Sequence, residues 1–122
     1  MGRAQTGTRC TVSEGPALIW CPFPSEEEAR RVAGQLLDER LIACANIVPG
    51  MISIFEWQGE RGEAREVGVL LKTHGSLLEK SVARLADLHS YDTPAVAGWI
   101  TTASAQATSA WIDGLTGTEA SR

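Results

Sequence analysis

No stretch of this 122-residue chain approaches the ~20 consecutive apolar residues that a membrane-spanning helix requires. A basic excess is missing as well. With 11 Lys+Arg against 15 Asp+Glu the net charge is −4, which leaves no electrostatic footprint for nucleic acid or an anionic membrane. Cysteines number three, Cys10, Cys21 and Cys44, and form no C-x-x-C pair. An odd set without that spacing reads as reduced thiols in a cytoplasmic protein rather than a disulfide framework. Met1 to Cys10 lacks the apolar centre of a signal peptide. Met1-Gly2 followed by Thr6 fits the loose myristoylation pattern, but so short a pattern reads as chance. Internal repeats, low-complexity blocks and a Gly-rich nucleophile elbow are all missing, and with them any motif that would mark an enzyme.

What is there suits one globular domain: 43% hydrophobic and 21% charged residues. Residues 1–15 and 117–122 are polar and without period, and read as tails around a domain spanning 16–116. Ala17 to Cys21 is a short apolar run closed by Pro22 and Pro24, the pattern of a buried strand. Ser25 then opens a helix, with Glu28 completing a capping box. Ala29, Val32, Ala33, Leu36 and Leu37 form its apolar face.

Beyond Leu41, strand-type residues run from Ala43 to Val48 and from Met51 to Trp57, with a bend or bulge at Pro49-Gly50. Gly59 to Arg65 reads as a polar turn and Val67 to Thr73 as a strand, so the two runs make a long antiparallel hairpin. Ser76 opens a second helix, capped by Glu79, with Leu78, Val82 and Leu85 on one face and His89 one turn further. Ala95 to Thr101 is a fourth strand and Ala105 to Leu115 a final helix.

This order is an α+β, ferredoxin-like βαββαβ sandwich with an extra C-terminal helix, its two main helices covering one sheet face. A hairpin bearing Met51, Ile52, Ile54, Phe55 and Trp57 would leave a monomer too much exposed apolar surface. Copies of the same chain are the simplest cover. Trp20, Trp57, Trp99 and Trp111 read as core and interface anchors. Cys44 is expected as a small core residue, and His74 as a solvent-facing turn residue.

Four segments carry a family resemblance: Arg40-Leu-Ile-Ala-Cys-Ala-Asn-Ile-Val-Pro-Gly50, Ser53-Ile-Phe-Glu-Trp-Gln-Gly-Glu60, Leu70-Leu-Lys-Thr73 and Leu88-His-Ser-Tyr-Asp-Thr-Pro94. In this order and spacing, from about Ala17 to Ile112, the chain resembles the CutA divalent-cation tolerance proteins. The resemblance implies a ferredoxin-like fold assembled as a tight homotrimer, similar in architecture to the nitrogen-regulatory PII signal proteins. It implies tolerance of copper or another divalent metal through binding rather than catalysis. It also implies a metal site at Cys21 and His89, whose third position is here Ala95, without a donor atom. Ser90 and Ile100 stand where prolines are usual.

A thiolate with an imidazole suits copper or zinc, although two ligands alone make a weak site unless Asp92 or a neighbouring subunit adds more. The competing reading makes Cys21 a buried strand thiol and His89 a residue favoured by the helix dipole. Trp57, Lys72 and Tyr91, with Arg40 and Thr73, are candidates for an intersubunit cleft that would hold a small anion. That alternative is a PII-like sensor, and a second is a scaffold trimer with a degenerate metal site.

Overall fold

The computed structural model describes residues 15–116, so the expected tails, apart from Gly15, lie outside the described residues, as does Cys10. β1 (Pro16–Phe23), α1 (Glu26–Asp38), β2 (Cys44–Trp57), β3 (Glu60–His74), α2 (Leu78–Leu88), β4 (Ala97–Ile100) and α3 (Gln106–Asp113) follow in chain order. All the strand pairs are antiparallel, in the spatial order β2-β3-β1-β4. This is the α+β, ferredoxin-like arrangement that the pattern predicts.

Period-two alternation divides the sheet into two faces. Ile19, Cys21 and Phe23 on β1 and Val67, Val69 and Leu71 on β3 point toward the helices, where Ala29, Val32, Leu36 and Leu85 complete the core. Each such large side chain removed from water contributes roughly 1.5–3 kcal/mol. Leu18, Trp20, Leu70 and Trp99 alternate with the core set on the paired strands and so share the opposite face, which carries no helix among the described residues. All four tryptophans are substantially exposed. None is a core anchor, since each ring lies on the uncovered face, on the hairpin or, for Trp111, at the surface beside Leu37 and Arg40.

Ser25 caps α1 as expected: its Oγ accepts from the Glu28 N–H at 3.1 Å. The Glu28 carboxylate does not return to Ser25 but accepts from the Ser90 N–H (2.9 Å) and the Ser90 hydroxyl (2.8 Å). Leu37, expected on the apolar face, is exposed. The helix ends with Leu41 N–H bonded to the Leu36 carbonyl and Arg40 N–H to that of Leu37, a Schellman pattern whose left-handed position is Arg40 rather than glycine (φ 57°). That conformation costs a non-glycine residue roughly 1–2 kcal/mol. The Arg40 guanidinium donates to the Gly114 carbonyl at 3.2 Å, which ties the helix end to the end of α3.

The hairpin is longer than its polar sequence suggests. Gln58 and Gly59 both have positive φ, the two-residue turn whose twist suits antiparallel strands. Residues 60–65, read as turn, therefore pair directly with 52–57. Between Val48 and Met51 the register slips by one residue, so Pro49-Gly50 forms the expected bulge.

The second helix starts later than expected. A 3-10 turn, Gly75–Leu77, precedes α2, and no side chain caps the helix itself. His74 replaces the Ser76 cap: its Nδ1 accepts from the Ser76 N–H at 3.1 Å. It is buried rather than solvent-facing, with Asp113 Oδ1 3.4 Å from Nε2. β4 is shorter than expected, because the chain turns at Pro94 with Val96 N–H on its carbonyl. Cys44 is half-buried on the uncovered face opposite Lys72, not in the core.

Candidate functional site

Beyond β1, the loop that follows α2 builds two contrasting regions. The first is closed. Cys21 is fully buried on the core face, with Sγ 3.5 Å from the Pro22 carbonyl. Burial, then the charges of Glu28 and Glu66, push its thiol up to about 12, so at neutral pH it is a thiol and not a thiolate. His89 is equally enclosed. Its Nε2–H donates to the Pro22 carbonyl at 2.8 Å, and its Nδ1 accepts from the Tyr91 N–H at 3.1 Å. Those partners fix one neutral tautomer. Phe23 stacks on the ring at 4.4 Å between centroids. Glu28 Oε2 lies 3.7 Å from Nδ1, too far for a hydrogen bond.

The second region is open. The sheet and the hairpin make its floor, and residues 91–95 form its rim. Pro22, Phe55, Trp57, Ala64, Glu66, Tyr91, Asp92 and Ala95 are among the residues that line a cleft of about 660 Å³. The β2–β3 register explains their convergence: Met51, Ser53, Phe55 and Trp57 pair with Glu66, Ala64, Gly62 and Glu60, which puts all of them on the uncovered face. The Tyr91 hydroxyl donates to Glu66 Oε2 at 2.7 Å and holds that carboxylate in place. Desolvation, followed by the Glu66 hydrogen bond and charge, raises the Tyr91 phenol to about 12.

Of the cleft candidates named from sequence, Trp57 and Tyr91 come together and the others do not. Lys72 does not line the cleft, because its register partners Leu18 and Cys44 hold it at the far end of the uncovered face. Thr73 is fully buried and its hydroxyl donates to the Leu41 carbonyl at 2.7 Å. Arg40 lies beside Trp111, in a separate cleft of about 310 Å³. Glu66, between the expected turn and the expected strand, was missed because its partnership with Tyr91, 25 residues on, has no local signal.

Among the described residues, no group of three or more His, Cys, Asp and Glu side chains is arranged to hold a metal ion.

The model of the CutA1 divalent ion tolerance protein family matches residues 17–114. The chain belongs to the CutA1 family. The divalent-cation tolerance protein CutA of Thermus thermophilus is 44% identical over 79 residues, 65% of this chain and 77% of that one. Its counterpart from Pyrococcus horikoshii is 42% identical over 79 residues, with 65% and 76% covered. The crystal structure of the divalent ion tolerance protein CutA1 from Ehrlichia chaffeensis superposes with a TM-score of 0.79 at 30% identity, covering 84% of this chain and 96% of that one.

Against the metal that the CutA1 family name implies, the donor set here fits poorly. A divalent ion needs lone pairs, and the Cys21 thiol retains its proton while both His89 nitrogens are engaged. Ala95, at the cleft rim, adds none. Binding at this pair would require the thiol to ionise and at least the Tyr91 hydrogen bond to His89 to break.

Proposed function

We propose that this chain forms a homotrimer that supports tolerance of divalent metal ions, acting by binding rather than catalysis. Membership of the CutA1 family across 17–114 carries the reading. The exposed hairpin supports the assembly: Ile52, Ile54 and Trp57 are 54%, 70% and 55% exposed, and Trp20 and Trp99 extend the apolar surface onto the uncovered sheet face. Copies packed against these residues would bury the surface with closed symmetry. Among the described residues no basic side chain lines the 660 Å³ cleft, which gives the anion-sensor alternative no support from a single chain. Cys21 and Cys44 are both free thiols, which suits a reducing, cytoplasmic setting.

Sedimentation of the reduced protein tests the assembly, with three chains of 13.1 kDa giving about 39 kDa. Growth of a copper-sensitive host with and without the chain tests tolerance. A monomer at micromolar concentration, together with unchanged growth, overturns the reading. Calorimetry with Cu(I), Cu(II) and Zn(II) on wild type, Cys21→Ser and His89→Ala decides whether this pair is the metal contact. Loss of binding in either variant would establish it, and unchanged binding in both would place the metal elsewhere.

A further inference from the structure

We propose that the cleft between the β2–β3 hairpin and the 91–95 loop is a socket for a second copy of this chain, in which Glu66 and Asp92 receive Lys72 of that copy. The inference rests on the homotrimer reading and names the contact that orients the copies.

The uncovered face carries opposite charges at its two ends. Alternation along β3 puts Glu66, Leu70 and Lys72 on this face, with Glu66 opposite Met51 and Lys72 between Leu18 and Cys44. Glu66 lines the cleft together with Asp92, beside Phe55, Trp57 and Tyr91. Trp20 and Leu70, paired across β1 and β3, lie between the ends. Lys72 is half-buried, and among the described residues it is the one basic side chain that the paired strands place on this face. It also enters no ion pair among the described residues. On β3 it stands about six residues, roughly 20 Å, from Glu66. A lysine side chain cannot span that distance, so the two charges do not meet within one chain.

Closing the face against another copy takes both ends out of water. Carboxylates or an ammonium desolvated without a counter-charge are strongly unfavourable. A closed ring of three joins each copy to the next through two different patches, so the acidic end of one face can meet the basic end of the next. Each buried charge then has its partner, with Phe55 and Trp57 excluding water around the pair. The socket is also prepared in advance. The Tyr91 hydroxyl holds Glu66 Oε2 at 2.7 Å, which leaves the other carboxylate oxygen for the ammonium.

Charge exchange tests the contact, read by sedimentation over a dilution series in urea that half-dissociates the wild-type assembly. Lys72→Glu and Glu66→Lys should each raise the concentration needed for assembly by at least about tenfold, and the chain carrying both should return to within about threefold of wild type. Lys80→Glu, an equal change of charge at an exposed position of α2, should leave assembly unmoved. Circular dichroism verifies each fold. If Glu66→Lys does not fold, Asp92→Lys repeats the exchange with the Tyr91–Glu66 bond intact. A wild type that is monomeric without urea defeats the homotrimer reading itself. A wild-type trimer that both single variants leave intact, or that the exchange does not restore, overturns this contact and leaves the trimer standing. A loss with Lys80→Glu as large as with Lys72→Glu also overturns it, because net charge alone would then govern assembly.

Discussion

The Cys21–His89 cluster and the Trp57–Tyr91 cleft share a border at Pro22 and Tyr91, yet they are built in opposite ways. In the first, every polar atom with a chemical use is already engaged: His89 by Pro22 and Tyr91, Glu28 by Ser90, Cys21 by its own proton. In the second, aromatic rings and carboxylates face open space. The closed cluster therefore fastens the 89–91 loop to β1 and α1, while the cleft, walled by Phe55 and Trp57, stands on the surface that copies of the chain would cover. Residue types alone would give the opposite assignment, since cysteine and histidine advertise chemistry more loudly than a tyrosine and a glutamate.

The largest effect that can break this contrast is loss of His89. His89→Ala removes a buried ring stacked on Phe23, leaves the Tyr91 N–H unpaired and leaves the Pro22 carbonyl only the weak Cys21 thiol at 3.5 Å. A destabilisation of about 2–4 kcal/mol is expected, read as a lower urea midpoint of the assembled protein. A loss below about 0.5 kcal/mol would mean that the cluster is not structural and that the ring is free for metal.

Gly68→Ala comes next and probes the uncovered face on which the cleft stands. A Cβ there would lie 2.4 Å from the Trp20 ring and 3.1 Å from Met51 sulfur, so the indole must swing off β3. Overpacking of this kind costs about 1–3 kcal/mol. The accompanying sign is a shift in tryptophan emission, and an unchanged spectrum with unchanged stability would show that Trp20 does not rest on β3.

The elements were largely legible in the sequence because each rests on a local pattern. The helical spacing of Ala29, Val32, Ala33 and Leu36 and the Ser25 cap gave α1, and Pro49-Gly50 gave the bulge. Where the reading strayed, a distant partner had overridden a local signal. Glu28 leaves Ser25 for Ser90, 62 residues away. His74 is buried under Asp113, and Thr73 turns inward to the Leu41 carbonyl. The cleft was half legible for the same reason: Trp57 and Tyr91 could be named as residue types, but the sign of its charge depends on β3 register, which brings in Glu66 and leaves out Lys72.

A smaller effect lies away from both regions and serves as their control. Glu39 accepts two hydrogen bonds of 2.8 Å from Arg84, joining the end of α1 to α2. The Arg84 hydrogen bonds, with one from Gln35, lower its carboxyl from the ordinary 4.5 to about 2. A depressed carboxyl stabilises the fold above its unfolded value, and that contribution fades as pH falls from about 4.5 toward 2. Solvent exposure keeps the effect modest. Glu39→Gln should flatten the stability profile in that window, and a profile as steep as wild type would assign the acid sensitivity to other carboxylates.

The smallest change in stability should come from Tyr91→Phe, and it cuts the shared border most cleanly. The Tyr91 backbone N–H belongs to the closed cluster, where it fixes His89, whereas the hydroxyl belongs to the cleft, where it holds Glu66. Phenylalanine keeps the first and removes the second. One exposed hydrogen bond is lost at the surface, where substitutions stay within about 0.5 kcal/mol, so the urea midpoint should scarcely move. If Tyr91→Phe instead destabilises the chain as much as His89→Ala, the two regions are one cooperative unit, and the division between a closed cluster and an open cleft fails.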